Sequence, residues 1–183
     1  MPRVTYLTRE DLSSDKQGLY DQIAAHRGHV ARPFAALLNS SDAAARVAAL
    51  GDQLRYIAPT ISSEIREIIT LTAARILKCQ YVWTHHCDSA KQAGVREEVV
   101  EAIIKGGLPR RLPPKESIFI QFTRELLENA RVRDATYSAV EHLLGQQGTV
   151  DTIVTIGYYT MLCLAVNALE IDLEEGIAPL LPA

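Results

Sequence analysis

The chain has 183 residues, of which 48% are hydrophobic and 22% charged, with 19 basic and 22 acidic side chains. This composition is typical of a globular protein with a sizeable core, and it excludes intrinsic disorder, a collagen-like repeat and a small disulfide scaffold. A net charge of −3 argues against a nucleic-acid-binding module, which needs a basic face for the phosphates. The spacing of the three cysteines does not indicate a disulfide framework, and the charged N-terminus lacks the apolar stretch of a signal peptide. We therefore expect a cytoplasmic protein.

The proline positions and the hydrophobic periodicity predict an all-α fold. Residues 60–108 and 115–178 contain no proline, which leaves room for long helices. No sustained alternation of apolar and polar residues indicates a strand. Periodicity and capping residues predict eight helices, at about 19–27, 41–56, 63–76, 79–93, 97–105, 114–127, 134–144 and 152–169, with a short turn at 33–38.

We expect these helices to form a single domain over residues 1–183. Its core would span 60–107, preceded by a helical extension at 1–58 and followed by helices within 113–172. The Pro-rich connection 108–114 is the one candidate linker, and it is too short to separate two folding units.

The uncharged segment 152–169 could be either a membrane-spanning helix or a buried helix of a globular protein. Its 18 residues fall short of the roughly 20 apolar residues that a spanning helix needs, and three threonines, two tyrosines and one asparagine interrupt it. Asp151 and Glu170 flank it directly. We therefore interpret this segment as a buried central helix and expect no membrane contact.

The candidate chemistry is concentrated in residues 64–88. Cys79 and His86 are seven residues apart, so on one helix they lie about 20° from alignment and roughly 10 Å apart along the axis. With Val82 and Trp83 between them, this spacing predicts a short groove with a thiol at one end, an imidazole at the other and an apolar floor. A cysteine in the first helical turn would have a lowered pKa, because free backbone N–H groups favour the thiolate. The alternative is a buried cysteine that acts as a small hydrophobe, with a core histidine beside it.

The same segment does not indicate a metal site. His85, His86 and Cys87 are adjacent, so on a helix they point in three directions and cannot converge on one ion. His26 and His29 form an HxxH pair without an accompanying carboxylate motif. The sequence also lacks a Gly-rich phosphate loop and a dinucleotide fingerprint, and we expect neither a metal nor another cofactor.

The run from Glu64 to Ala102 resembles the core of the carboxymuconolactone decarboxylase and alkyl-hydroperoxidase D-like family. The matching positions are Arg66-Glu67, Ala74-Arg75, Cys79-Gln80-Tyr81, Trp83, His86 and Ala93-Gly94. The resemblance implies an all-helical fold and a homo-oligomer, commonly a trimer or a hexamer, with sites near subunit contacts. The apolar tail 177–183 is a candidate for packing across a neighbouring subunit, with a frayed terminus as the alternative.

For the decarboxylase branch, the resemblance implies loss of CO2 from a small carboxylated lactone or a related carbonyl compound. This reaction needs a carboxylate anchor and a proton donor for the enolate that forms. His86 is the candidate general acid/base, Glu67 would orient it or exchange protons with it, and Tyr81 is a candidate hydrogen-bond donor. The candidate substrate-binding residues are Trp83, Val82 and Arg75. The pairing of Glu67 with His86 requires the chain to turn between their helices, since a continuous helix would carry the two residues far apart.

For the hydroperoxidase branch, the family motif is a glutamate, a cysteine twelve residues later, then a second cysteine and a histidine. Glu67, Cys79 and His86 match three of these positions, but Val82 occupies that of the second cysteine. A peroxidatic disulfide cycle needs a second thiol close to the first.

Neither remaining cysteine supplies that second thiol on sequence grounds. Cys87 would lie about 12 Å from Cys79 along a continuous helix, too far for a disulfide, and Cys163 would need a tertiary contact. The alternative function is therefore alkyl hydroperoxide reduction by Cys79 with an external thiol. A second alternative is a non-catalytic protein that binds a small molecule or serves in assembly.

Overall fold

The computed structural model describes residues 1–57, 59–106 and 112–182. Throughout these residues every regular element is helical and no strand occurs, which confirms the predicted all-α class. The helices are α1 (Gln17–Ala24), α2 (Arg32–Leu37), α3 (Ser41–Asp52), α4 (Ser63–Ile76), α5 (Gln80–Gln92), α6 (Glu97–Lys105), α7 (Pro114–Asn129) and α8 (Asp134–Ala168). A single π-helical turn, Gln53–Ile57, follows α3.

Two of the predicted boundaries are wrong. The segment 33–38, expected as a turn, contributes to the short helix α2, because Pro33 lies in the first helical turn, where its fixed φ fits and its missing N–H removes no bond. The last helical stretch begins directly after Gly145 rather than at 152. Within this stretch the hydroxyls of Thr149 and Thr152 donate to the backbone carbonyls four residues earlier, so neither hydroxyl is left without a hydrogen-bond partner. Of the predicted linker 108–114, residues 108–111 lie outside the described part of the chain.

The helix α4 is the central element around the candidate site. Ser62 caps its N-terminus by accepting a hydrogen bond from the backbone N–H of Ile65. Nine of its residues are buried, and it packs against α5, α6 and α7. A helix buried on several sides can place polar side chains in a dry interior, provided that each has a partner.

The turn between α4 and α5 is a Schellman motif. The N–H of Cys79 donates to the carbonyl of Ala74 at 2.8 Å, and Lys78 adopts the left-handed conformation at φ 51° that glycine usually occupies in this motif. The chain therefore reverses within Leu77–Cys79. Without this turn the residues of α5 would continue away from α4.

The chain divides into two compact units. The first comprises Met1–Pro59 and Ala165–Asp172, and its small apolar core contains Ile23, Phe34, Leu38, Ala44 and Ala48. The second comprises Thr60–Leu164 and Leu173–Ala183. All the candidate site residues belong to the second unit.

The helix α8 combines two of the predicted helices. Its 35 residues include a window long and apolar enough to span a membrane by length and composition, but half of that window is buried inside the protein. Gly145 interrupts the helical geometry with φ 69° and ψ 178°. Ile156, Tyr159 and Cys163 are fully or almost fully buried, as in the core helix of a globular protein.

We expect Gly145→Ala to lower the free energy of unfolding by about 1–3 kcal/mol, because its backbone conformation is nearly restricted to glycine. A Cβ at this position would meet no atom within 4 Å, so the effect would arise from the backbone alone. Gly157→Ala is the matched control: it lies in regular helix with equally open space and should raise stability by up to about 1 kcal/mol. Urea unfolding measures both changes, and an equal effect of the two substitutions would contradict the interpretation.

Candidate active site

The centre of the site is a hydrogen bond between α4 and α5. Nδ1 of His86 lies 2.6 Å from Oε2 of Glu67, a short contact of the kind that charged partners form. Glu67 is almost completely buried, whereas the His86 side chain is 17% exposed. The turn on which the predicted pairing depends is therefore present.

The surroundings of Glu67 compensate the burial of its carboxylate. Nε of the buried Arg66 lies 3.8 Å from Oε1, an ion-pair distance beyond hydrogen-bond range, while His86 occupies Oε2. An ionised carboxylate only accepts hydrogen bonds, so with Glu67 ionised the imidazole donates from Nδ1. In that arrangement Nε2 of His86 is the ring nitrogen left to face a substrate.

Two tyrosines of α8 border the imidazole. The ring of Tyr159 meets that of His86 edge to face with centroids 5.2 Å apart, and Tyr158 meets Tyr159 in the same way. Both tyrosines are buried. Sequence reasoning did not select them as site residues, because paired tyrosines in an apolar helix are indistinguishable from ordinary core residues.

Cys79 is the N-cap residue of α5, and Cys163 lies in α8. Both thiols are fully buried and neither is in a disulfide. The hydrogen bond from Cys163 lowers the pKa of Cys79; burial opposes this, and the backbone N–H groups of Val82 and Tyr81 lower it further. The same contact, together with burial, raises the pKa of Cys163. The sequence predicted a lowered pKa for Cys79 but not the partner that contributes most.

The residues of the predicted groove between Cys79 and His86 are mostly enclosed. Cys79, Val82 and Trp83 are buried, and the C-terminal segment contacts α5 at Trp83 and Thr84. Nε1 of Trp83 donates to the carbonyl of Leu180 at 3.1 Å. The tail, considered as a contact for a neighbouring subunit, thus binds α5 of its own chain. The roles of Val82 and Trp83 in substrate binding stay predictions.

Tyr81 belongs to a second polar cluster, centred on Glu174. Its hydroxyl donates to Oε1 of Glu174 at 2.7 Å, and Nε2 of His85 lies 2.7 Å from Oε2 of the same carboxylate. The rings of Tyr81 and His85 are in contact, with centroids 4.3 Å apart. The structure therefore places the Tyr81 hydroxyl at Glu174, a residue that sequence reasoning missed because no motif or spacing links position 174 to α5.

Arg75 lies away from the Glu67–His86 pair. Eight residues separate it from Glu67 along α4, about 12 Å of helix axis. Its guanidinium donates to the carbonyls of Ile104 and Pro182, and it lines a cavity of about 170 Å³ together with residues of α6 and α7. The predicted role of Arg75 as a substrate anchor would require this side chain to leave these partners.

The neighbouring histidines have separate partners. His86 binds Glu67 and His85 binds Glu174, so the two imidazoles do not converge. Within residues 1–57, 59–106 and 112–182 no group of three His, Cys, Asp or Glu side chains could hold a metal ion. For Cys87, burial raises the pKa of the thiol to about 11, and Asp88 adds to the effect.

The helical arrangement is similar to that of two solved structures. The chain is similar to a solved structure from Ralstonia eutropha JMP134, described as an alkylhydroperoxidase AhpD core and uncharacterized peroxidase-related protein, with a TM-score of 0.76 and 16% identity over 98% of both chains. An uncharacterized peroxidase-related protein from Silicibacter sp. TM1040 gives a TM-score of 0.74 and 16% identity over 96% of this chain and 94% of that one. At this identity the likeness establishes the fold alone.

A sequence match covers the central part of the chain. Residues 41–125, which contain Glu67, Cys79 and His86, match the model of the carboxymuconolactone decarboxylase family, in agreement with the resemblance seen in the sequence. No curated protein sequence matches the chain. Cys163 and Glu174 lie outside the matched segment.

We expect Glu174→Gln to lower the free energy of unfolding at neutral pH by about 1 kcal/mol, a value reduced for its partial exposure. Burial raises the pKa of Glu174, but the Tyr81 hydroxyl and His85 outweigh it, so the pKa lies below its ordinary value. The contribution of the ionised Glu174 to the free energy of unfolding is therefore complete above about pH 4.3. It disappears as the pH falls through the pKa that Glu174 has in the folded protein. Urea unfolding at neutral pH and below about pH 3 measures this. Glu175→Gln, at the exposed neighbour, should change nothing, and a deficit of Glu174→Gln that persists in acid would contradict the assignment.

Removal of residues 177–183 should expose Trp83, the single tryptophan of the chain. The lost contact with Leu180 opens the indole to water, so its fluorescence emission should shift to the red and acrylamide should quench it more strongly. Circular dichroism controls for retained helix content. An emission spectrum unchanged from that of the full chain would show that the tail does not cover Trp83 in solution.

Proposed function

We propose that this protein is a carboxymuconolactone decarboxylase-like enzyme that removes CO2 from a small carboxylated lactone or a related carbonyl compound. The observation that carries the proposal is the 2.6 Å hydrogen bond between the buried Glu67 and the partly exposed His86. A carboxylate and an imidazole in this arrangement form a unit that holds a proton and delivers it to a substrate. The match of residues 41–125 to the carboxymuconolactone decarboxylase family supports the reaction class.

The chemistry needs one proton per turnover. The bond between the substrate carboxylate and its ring carbon breaks, CO2 leaves, and the electron pair remains on the substrate as an enolate conjugated with the carbonyl group. His86, as imidazolium, gives the Nε2 proton to that carbon, so the product carries hydrogen where the substrate carried CO2. Glu67 holds Nδ1–H throughout, stabilises the imidazolium and keeps the ring oriented. A proton from solvent then restores His86.

The aromatic border suits this reaction. Tyr159 against His86 and Tyr158 behind it keep water from one side of the imidazole, and a drier site strengthens the electrostatic effect of Glu67. Cys79 contacts Cys163 and takes no part in this proton transfer. Tyr81 would act indirectly, by fixing α5 through Glu174.

We further propose that the enzyme is cytoplasmic and forms a homo-oligomer, a trimer or a hexamer, with a small molecule as its substrate. Three free cysteines support a reducing compartment. The oligomer is proposed from the family resemblance, and sedimentation of the purified protein would test it.

We expect His86→Gln and Glu67→Gln each to lower kcat/KM by about 100-fold to 10,000-fold, because one removes the proton donor and the other its charged partner. The measurement is CO2 release from a panel of carboxylated lactones. His85→Gln is the matched control: it changes the adjacent imidazole, which binds Glu174 instead, and should stay within about tenfold of the unchanged enzyme. Full activity of His86→Gln, or no turnover of any carboxylated lactone by the unchanged protein, would reject the proposal.

A further inference from the structure

The cavity of about 170 Å³ that Arg75 lines lies inside the second unit, between α4, α6 and α7. It is separate from the Glu67–His86 pair, because Arg75 and Glu67 are about 12 Å apart along the axis of α4. An engineered protein cavity of about 150 Å³ binds benzene. The space between these three helices is therefore sufficient for one small organic molecule.

The walls of this cavity are mainly apolar. Ile103 and Ile120 are buried, and Ile76 and Ala102 also line the space. Binding sites for small molecules typically combine such walls with a few polar groups that fix the orientation of the ligand. Apolar walls favour a ligand with a hydrocarbon body over a strongly hydrated inorganic ion, whose loss of water they would not compensate.

Arg75 brings a half-buried positive charge to these walls. Within the described part of the chain no carboxylate pairs with it; its Nε and Nη1 donate to the carbonyls of Ile104 and Pro182 at 3.2 and 3.3 Å. A guanidinium carries five N–H donors in a planar fork, so Arg75 can bind a carboxylate and keep both carbonyls. Because water is scarce around a half-buried side chain, the charge of Arg75 attracts an anion more strongly here than at the surface.

The other charged residues at the cavity are paired with each other. Nε of Arg124 donates to Oε1 of Glu128 at 3.1 Å, and Nη1 of Arg124 donates to the carbonyl of Gly106. The charges of this pair cancel. The described residues that line the cavity therefore carry a net charge of +1, which is that of Arg75.

We propose that this cavity is a binding site for a small apolar monocarboxylate, with the size of an aromatic acid that has one ring. Its carboxylate pairs with Arg75, and its hydrocarbon part packs against Ile76, Ile103 and Ile120. One negative charge on an apolar body matches one net positive charge beside apolar walls. The site contains neither Glu67 nor His86, so it does not rest on the proposed decarboxylation.

The competing explanation gives Arg75 a structural role alone. In that case its guanidinium only holds the C-terminal end of α6 and the segment at Pro182 through their carbonyls. Cations at helix C-termini are stabilising, so these bonds need no ligand. Such a role predicts no binding of a carboxylate, which separates the two explanations.

Titration calorimetry of the full-length protein with benzoate tests the proposal. We expect one benzoate per chain with a Kd of about 1 mM or tighter. Benzamide has the same ring without the charge and should bind at least about tenfold more weakly. The Tm should rise with the benzoate concentration when chloride replaces benzoate at equal ionic strength in the reference sample.

Two variants change the cavity in different ways. Arg75→Gln removes the charge and should weaken benzoate binding at least about tenfold, so that benzoate and benzamide bind alike. Ala102→Leu keeps Arg75 but fills the space, and it should abolish binding even if Arg75→Gln prevents folding. Arg131→Gln is the matched control: it removes an exposed positive charge outside the cavity and should leave the Kd within about twofold. Circular dichroism checks that each variant is folded.

Three results would overturn the proposal. They are no benzoate binding up to about 10 mM, equal affinities for benzoate and benzamide, and binding that a folded Ala102→Leu variant retains. Loss of benzoate binding in His86→Gln would also reject it, because the ligand would then occupy the Glu67–His86 site. CO2 release from lactones does not enter this test, so the two proposals fail separately.

Discussion

The buried carboxylate of Glu67 is the constraint on which the organisation of the second unit depends. A carboxylate removed from water must find charged or hydrogen-bonding partners, and here they are His86 at 2.6 Å and Arg66 at 3.8 Å. The bond to His86 sets the register of α5 on α4. The Schellman turn at Leu77–Cys79 makes that register possible, although Lys78 must adopt a left-handed conformation that costs a non-glycine residue about 1 kcal/mol.

With α5 placed in this way, its polar residues have separate partners. His86 binds Glu67 of α4, whereas Tyr81 and His85 share Glu174. The two adjacent imidazoles of one helix therefore bind two different carboxylates.

Much of the fold could be read from local signals because those signals are local in origin. Ser62 caps α4 with its own side chain, Pro114 begins α7, and Gly145 breaks α8, and each depends on a few adjacent residues. The wrong prediction of a turn at 33–38 also comes from a local signal. A proline can mark a turn, but it can equally lie in the first turn of a helix, as Pro33 does in α2. Of the candidate site, the sequence predicted with a defined spacing only the residues that match the family motif, namely Glu67, Cys79 and His86.

By itself, the sequence determined the all-helical class, most helix boundaries, a family resemblance over part of the chain and the residue types available for acid/base and thiol chemistry. Only the tertiary structure decided which of these residues meet. It placed the Tyr81 hydroxyl at Glu174 and brought the carbonyl of Leu180 to the indole of the buried Trp83. Periodicity describes which face of a helix is apolar but not which distant segment covers that face. Contacts between residues some 80 to 100 positions apart arise from packing, which no spacing rule along the chain encodes.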